Sequence, residues 1–155
     1  MLKRVPPPNP YDHLPNRPLM ALQSEDLAEG GEMPDLHAHD SVGGDNLSPH
    51  LSWSGEPEGT ESFALTCLDP DAPTGTGWWH WIVLDIPADV HDLPRGVRDL
   101  PVPAFELRTD YGTPGYQGSG PPPGDMTHRY IFAIHALDVP SLGLDPDTPA
   151  AMAAA

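Results

Sequence analysis

Two apolar segments joined by an acidic, proline-rich loop occupy residues 62–86, which read SFALTCLDPDAPTGTGWWHWIVLDI. The first segment, residues 62–68, is short, apolar and partly β-branched, as is typical of a buried strand. The second, residues 79–86, is apolar on both of its alternating faces, which predicts a central strand covered on both sides. The loop between them carries Asp69 and Asp71. A polar loop held between two buried strands is a favourable place for a functional site.

The composition is that of an acidic chain rich in loop-forming residues. Its 155 residues suit one domain with a substantial core, and its 22 prolines and 15 glycines interrupt the apolar segments without forming repeats. This pattern predicts a loop-rich β protein. The formal net charge of −16 repels nucleic acid and anionic membrane surfaces. We therefore expect no nucleic-acid partner and no association with anionic membranes.

The N-terminal segment and the cysteine content bear on domain organisation and compartment. Six prolines lie between residues 6 and 18, which predicts an extended arm over residues 1–20, ahead of a single domain over residues 21–155. No apolar run follows the basic residues near the N-terminus, and none in the chain reaches the length of a membrane span. Cys67 is the only cysteine, so no internal disulfide can form. We expect a cytoplasmic protein.

Further candidate site residues lie in the second half of the chain. Residues 110–124 are dense in glycine and proline, a combination that suits a rigid backbone cradle for an anion. Residues 127–137 alternate regularly and predict a strand on which His128 and Tyr130 share one face, about 6.7 Å apart along it. The last residues, 149–155, predict the opening turns of a helix.

These residues allow two interpretations of the chemistry. Two histidines, His80 and His128, with one or two aspartates have the ligand count of a mononuclear metal site, which would favour a metal-dependent hydrolase. The same side chains beside a glycine-rich loop favour a binding pocket for a small anion. No nucleophile with an assigned base is evident, and this absence favours binding over catalysis.

Five motifs follow one another along the chain: NLSPHLSW at 46–53, DPDAP at 69–73, WWHW at 78–81, DYG at 110–112, and a segment over 118–130 that contains PPPG and HRY. This set resembles the signatures of the phosphatidylethanolamine-binding protein family, in its bacterial, Raf-kinase-inhibitor-like branch, over about residues 22–140. The resemblance implies an all-β fold: a β-sandwich of two antiparallel sheets with long loops and few short helices.

The resemblance also implies a site. The small anion pocket of the family corresponds here to eight residues: Asp69, Asp71, Pro73, His80, Gly120, Pro122, His128 and Tyr130. A cis peptide before Pro73 is implied as well, which would suit a tight loop. Members of the family usually continue with a full helix and often a further strand. The short tail here therefore predicts a shortened C-terminal helix, with either a more open pocket or another element that covers it.

The residues and the resemblance together predict a non-catalytic binding module for a small phosphorylated ligand, such as a phosphate ester or a phosphoethanolamine-like headgroup, with no cofactor or metal. Because basic residues are scarce in the motifs, the donors would be the histidines, the Tyr130 hydroxyl and backbone N–H groups. An aspartate that accepts a hydrogen bond from an imidazole raises the pKa of that imidazole. We therefore expect tighter phosphate binding at pH 5.5 than at pH 8.

Two other functions stay open at this point. They are a metal-dependent hydrolase that uses the histidines and aspartates, and a regulator of a protein partner such as a kinase, for which the sequence specifies no surface. Apolar strand edges also offer a route to a homodimer.

Overall fold

The computed structural model describes residues 4–155, so the first three residues of the N-terminal arm lie outside the described residues. The strands in this range are β1 (Ala21–Gln23), β2 (Leu51–Ser54), β3 (Ser62–Asp69), β4 (Trp78–Pro87), β5 (Asp92–Leu93), β6 (Phe105–Glu106) and β7 (Ile131–Leu137). Its helices are α1 (Ala150–Ala153) and three short 3₁₀ turns at Pro10–His13, Asp35–His37 and Asp40–Val42. None of these helices has the length and apolar character needed to cross a bilayer.

The two predicted buried strands form the hairpin at the centre of the fold. β3 and β4 pair antiparallel along their length, with Asp69 opposite Trp78 at the end of the ladder. All eight residues of β3 are buried, as its apolar sequence indicates. The register shifts between Cys67 and Leu68, and this irregularity lies just before the strand end that carries Asp69. The acidic loop is therefore the connection of a rigid hairpin.

Two antiparallel sheets make up the sandwich, which confirms the expected fold class. The three-stranded sheet has the order β1-β2-β5, and the four-stranded sheet has the order β6-β4-β3-β7. Trp53, Phe63 and Trp81 belong to the core between the sheets. Alternate residues of the central strands, such as Ala64 and Ile82, form a second cluster that includes a residue of α1. This second cluster explains why both faces of the hairpin strands are apolar.

The last strand is shorter than its sequence pattern predicts. Alternation predicts a strand over residues 127–137, but β7 begins at Ile131. The backbone N–H of Arg129 donates to the carboxylate of Asp71 at 2.7 Å, so this N–H is not available to a neighbouring strand. His128 and Tyr130 therefore both precede the regular strand on which the alternation placed them.

The N-terminal arm lies against the four-stranded sheet and is not extended throughout. Pro10–His13 forms a 3₁₀ turn, and the side chain of Asn9 caps it by accepting from the N–H of Tyr11 at 3.0 Å. The hydroxyl of Tyr11 lies 3.3 Å from that of Thr66 on β3. The guanidinium of Arg129 donates to the carbonyl of Pro7 at 2.5 Å. These contacts bring the arm beside the acidic loop.

Candidate functional site

A cavity of about 220 Å³ lies where the β3–β4 loop meets the proline-rich loop that precedes β7. Six of the eight predicted site residues line it: Asp69, Pro73, His80, Gly120, Pro122 and His128. The other lining residues are Ala72, Thr74, Trp78, Tyr111 and Pro121. The two remaining predicted residues, Asp71 and Tyr130, are not in the lining. Two loops that are distant in sequence therefore form one concave surface.

Asp69 connects the two histidines of the cavity. It ends β3, and its side chain is buried. One carboxylate oxygen accepts from the backbone N–H of Asp71 at 2.8 Å, and the other accepts from Nδ1–H of His128 at 2.7 Å. This second oxygen also lies 4.0 Å from Nε2 of His80. Asp69 is thus in a position to orient a histidine and to fix where its protons lie.

His128 is held between two carboxylates. Its Nδ1 faces Asp69, and its Nε2 lies 2.9 Å from the carboxylate of Asp125. Burial alone would lower the pKa of His128, but the hydrogen bonds to Asp125 and Asp69 outweigh burial and raise the pKa above its ordinary value. The side chain is therefore held as an imidazolium. Both of its N–H groups are used within the protein, so it offers a ligand positive charge but no free donor.

His80, in contrast to the His128 imidazolium, is a neutral imidazole. Its Nδ1 lies 2.8 Å from the carbonyl of Gln117, so Nδ1 carries the proton and Nε2 presents a lone pair. Nε2 is buried and has no hydrogen-bond partner within the described part of the chain. Burial lowers the pKa of His80 below its ordinary value, although nearby carbonyls and Asp69 oppose this effect. The ring is flanked edge-on by Tyr111 and Tyr130, with centroids at 5.7 and 5.2 Å.

Asp71 supports the hairpin loop from behind the cavity. Its carboxylate, with 1% of the side chain exposed, accepts from Nε and Nη2 of Arg129 at 2.9 and 2.8 Å and also from the backbone N–H of that residue. The forked contact is the geometry that guanidinium and carboxylate groups favour. Desolvation works against the charged carboxylate, but the hydrogen bonds from Arg129 outweigh it and lower the pKa of Asp71. Asp71 thus orders the side chain of Arg129.

The peptide before Pro73 differs from the prediction. The cis peptide bond in the described residues joins Val102 to Pro103, and the expectation of a cis bond before Pro73 is wrong. The N–H of Thr74 donates to the carbonyl of Ala72 at 2.8 Å, which makes a three-residue γ-turn centred on Pro73. The loop is therefore tightened by a hydrogen bond. Pro73 nevertheless lines the cavity as predicted.

The proline-rich loop forms part of the cavity wall but supplies few hydrogen-bond donors to it. Of its lining residues Gly120, Pro121 and Pro122, only Gly120 has a backbone N–H. The loop approaches the segment at His37 so closely that a Cβ on Gly118 would lie 2.1 Å from the carbonyl oxygen of His37. Glycine at 118 is therefore required by this close packing. The predicted anion cradle is reduced to one backbone donor in the lining.

Tyr130 stands behind His80 and packs against the core. Its hydroxyl is buried and has no hydrogen-bond partner within residues 4–155, and burial raises its pKa. It was predicted to donate to a ligand, but it is not part of the cavity lining. Its ring supports the orientation of the His80 ring instead.

Several residues at or beside the cavity were not selected from the sequence. Trp78 and Tyr111 line the cavity and belong to two of the quoted motifs, so those motifs carried a signal for them. Asp125 was not selected although it precedes His128 by three residues. Arg4, in the arm, donates from Nε and Nη2 to Asp125 at 3.0 and 2.7 Å. Arg4 and then His128 hold the pKa of Asp125 well below its usual range.

The described residues contain no cluster of side chains that would support the interpretation of the site as a metal centre. Within residues 4–155, no group of three or more histidine, cysteine, aspartate or glutamate side chains is arranged to hold a metal ion. His128 would first have to release two carboxylates before it could bind a metal. The lining residues also include no lysine or arginine, so the charge of the cavity depends on Asp69 and the two histidines.

The fold and the site define a two-sheet β protein with a small cavity at the end of its central hairpin. A family model described as "Phosphatidylethanolamine-binding protein" matches residues 23–155. The chain belongs to this family, which confirms the resemblance seen in its motifs.

Individual relatives agree with this assignment. The chain is 48% identical over 139 residues to the UPF0098 protein YbhB of Escherichia coli K12. This alignment covers 86% of this chain and 87% of that protein. It is 45% identical over 138 residues to YbcL of the same organism, covering 84% and 75%. The crystal structure of E. coli YbcL, described as a new member of the mammalian PEBP family, superposes with a TM-score of 0.84 at 41% identity, covering 87% of each chain. The PEBP homologue CT736 of Chlamydia trachomatis gives a TM-score of 0.75 at 30% identity, covering 89% of this chain and 87% of that one.

Proposed function

We propose that this protein is a non-catalytic binding module whose cavity takes a small phosphorylated ligand, a phosphate ester or a phosphoethanolamine-like headgroup. The observation that carries the proposal is the cavity itself, about 220 Å³ in volume, with a buried histidine whose Nε2 has no partner in the described residues. A buried polar atom without a partner is rare in folded proteins, and a ligand that satisfies it is a direct explanation.

The charges around the cavity support a ligand that carries both negative and positive groups. The His128 imidazolium lies in the wall, while Asp69 is the one carboxylate in the lining. A phosphoryl group would lie toward the histidines, and an ammonium group, where present, would lie toward Asp69. Family membership is consistent with a binding function.

The pH dependence of binding has a different origin from the one that the sequence suggested, because both ring N–H groups of His128 are hydrogen-bonded within the protein. His128 is already an imidazolium, but its N–H groups are occupied, so it does not supply the titrating donor. The titrating group is His80, whose pKa is lowered by burial and whose Nε2 has no hydrogen-bond partner in the described residues. A phosphate dianion binds only if one proton is taken up by the complex. Above the pKa values of both His80 and the ligand phosphate, the affinity therefore falls about tenfold per pH unit. This amounts to about 30-fold between pH 6.5 and 8.

The proposal is tested by titration calorimetry of the full chain with phosphoethanolamine at pH 6.5 and 8 and constant ionic strength. We expect the affinity to fall by about 30-fold between these values, from the linkage of one proton. His80→Gln should abolish this pH dependence. His135→Gln is a matched control, since His135 is a partly buried histidine of lowered pKa that is not in the cavity lining, and it should keep the dependence. Absence of binding at pH 6.5, or equal affinity at both pH values, would contradict the proposal.

A further inference from the structure

The N-terminal arm reaches both loops that form the cavity walls, and it does so through the side chain of Arg4. We infer that Arg4 is a reversible clamp: while it is docked it holds the two loops together, and when it is released the cavity walls can move apart. Arg4 is not in the cavity lining, so it is a positioning residue. The inference goes beyond the proposed function, because it concerns how the walls are held and not which ligand they hold.

A single guanidinium joins the two loops. Nε and Nη2 of Arg4 donate to the carboxylate of Asp125 at 3.0 and 2.7 Å, and Nη2 also donates to the backbone carbonyl of Asp71 at 2.6 Å. Asp71 belongs to the loop between β3 and β4, and Asp125 belongs to the proline-rich loop. The planar fork of a guanidinium can engage two acceptor groups in a fixed geometry, whereas an ammonium group acts as a point charge.

Each contact of Arg4 lies next to a residue that lines the cavity. Asp71 directly precedes Ala72, which is part of the lining. The N–H of Asp125 donates to the carbonyl of Pro122, also in the lining, at 3.2 Å, so one turn of chain connects the carboxylate to the wall. A change in the distance between Asp71 and Asp125 therefore moves the two walls relative to each other.

The effect of the clamp should be confined to the loops. The pairs His128–Asp69 and Arg129–Asp71 also join them, and the basic residues of both pairs stand directly before β7. Arg4 adds a link earlier in the proline-rich loop. Its release therefore frees that part of the loop and leaves the paired strands in place.

The tip of the arm, residues 4–8, is held by polar contacts and not by apolar packing. Val5 is 92% exposed, and the prolines on either side of Pro7 are exposed as well. The carbonyl of Pro7 accepts from the guanidinium of Arg129. Residues 12–19 are all exposed, so a solvated connection links the docked segment to β1. A segment with few buried apolar contacts opens at a low cost in free energy, so the clamp can release while the domain stays folded.

Amide hydrogen exchange of the full chain, measured by NMR with no ligand present, tests the clamp. The reporter amides are those of Asp71, Thr74 and Asp125, which are hydrogen-bonded in the folded protein. We expect them to exchange about tenfold faster in Arg4→Gln, because the lost ion pair is partly buried, with 29% of the Arg4 side chain and 3% of the Asp125 side chain exposed. The amides of β3 should keep the rates of the parent protein.

Two further variants separate the clamp from other effects. Arg17→Gln removes an exposed arginine of the same arm and should leave every exchange rate unchanged. Arg4→Lys keeps the charge but replaces the fork with a single ammonium group, and it should still show faster exchange in the loops.

Three results would overturn the inference. The first is loop exchange at the parent rate in Arg4→Gln. The second is faster exchange that extends to the amides of β3, since Arg4 would then stabilise the whole domain. The third is exchange at the parent rate in Arg4→Lys, because charge alone would then hold the loops.

Discussion

The ion pair between Arg129 and Asp71 offers a quantitative test of how the hairpin loop is held. Arg129→Met keeps the backbone N–H and most of the aliphatic stem but deletes both guanidinium donors to the Asp71 carboxylate. The carboxylate, 1% exposed, would keep only the backbone donor, whereas the guanidinium side is 42% exposed and partly solvated in the folded protein. Breaking a fully buried pair costs about 3–5 kcal/mol, and an exposed pair is worth under about 1 kcal/mol. We therefore expect a loss of about 2–3 kcal/mol, between these limits.

The sign of the pH dependence follows from the pKa of Asp71. Its folded-state pKa is lowered, so its contribution to stability is present above the unfolded value near 3.8 and is lost as the pH falls through the folded value. In the variant, burial without the guanidinium raises the pKa of Asp71, so the carboxyl group takes up a proton more readily. The stability difference between parent and variant should therefore be full at pH 7 and shrink below about pH 4.

Urea unfolding monitored by tryptophan fluorescence at pH 7 and pH 3.5 measures this difference. Arg108→Met is the matched control, because Arg108 pairs with Asp147 and both side chains are mostly exposed. It should cost under about 1 kcal/mol at either pH. The reasoning is refuted if Arg129→Met costs no more than this control, or if its cost at pH 3.5 equals that at pH 7.

Two further predictions concern neighbouring parts of the site. Asp125→Asn removes one of the two carboxylates that charge His128, so the pKa of His128, followed by NMR titration of its ring protons, should fall toward its ordinary value of about 6.5; an unchanged value would show that Asp125 does not act on it. Gly118→Ala places a Cβ 2.1 Å from the backbone carbonyl of His37 and should destabilise the protein by at least about 1–3 kcal/mol in thermal or urea unfolding. Gly120→Ala meets its neighbours at 3.4 Å or more and should cost clearly less, so equal costs would contradict the packing argument.

The central hairpin could be predicted because its signal is local. Residues 62–68 and 79–86 are continuous apolar runs of strand length, and burial of both faces follows directly from that pattern. The loop between them is polar and rigid by composition, which located half of the cavity. The other half of the cavity was located from the order of the five family motifs along the chain, and not from hydrophobic periodicity. The alternation over residues 127–137 was misleading near its start, because a carboxylate from another loop captures the backbone N–H of Arg129.

The ion network behind the cavity could not be predicted from local patterns. Arg4 and Asp125 are 121 residues apart, and Arg129 and Asp71 are 58 apart. Charged residues in loops have no periodicity that would reveal such partners, and their pairing depends on where the arm crosses the sheet. Nor does composition say which histidine is charged. That depends on whether its second ring nitrogen meets a carboxylate or a carbonyl.

The two cavity histidines show how one carboxylate can fix two different protonation states. The same oxygen of Asp69 lies 2.7 Å from His128 and 4.0 Å from His80. The nearer ring meets a second carboxylate, Asp125, at its other nitrogen, and becomes an imidazolium that is saturated with partners. The farther ring meets a backbone carbonyl there and stays neutral, with an Nε2 that has no partner among residues 4–155. The proposed anion site is compatible with a strongly acidic protein, because the carboxylates of Asp69, Asp71 and Asp125 are all paired within the protein.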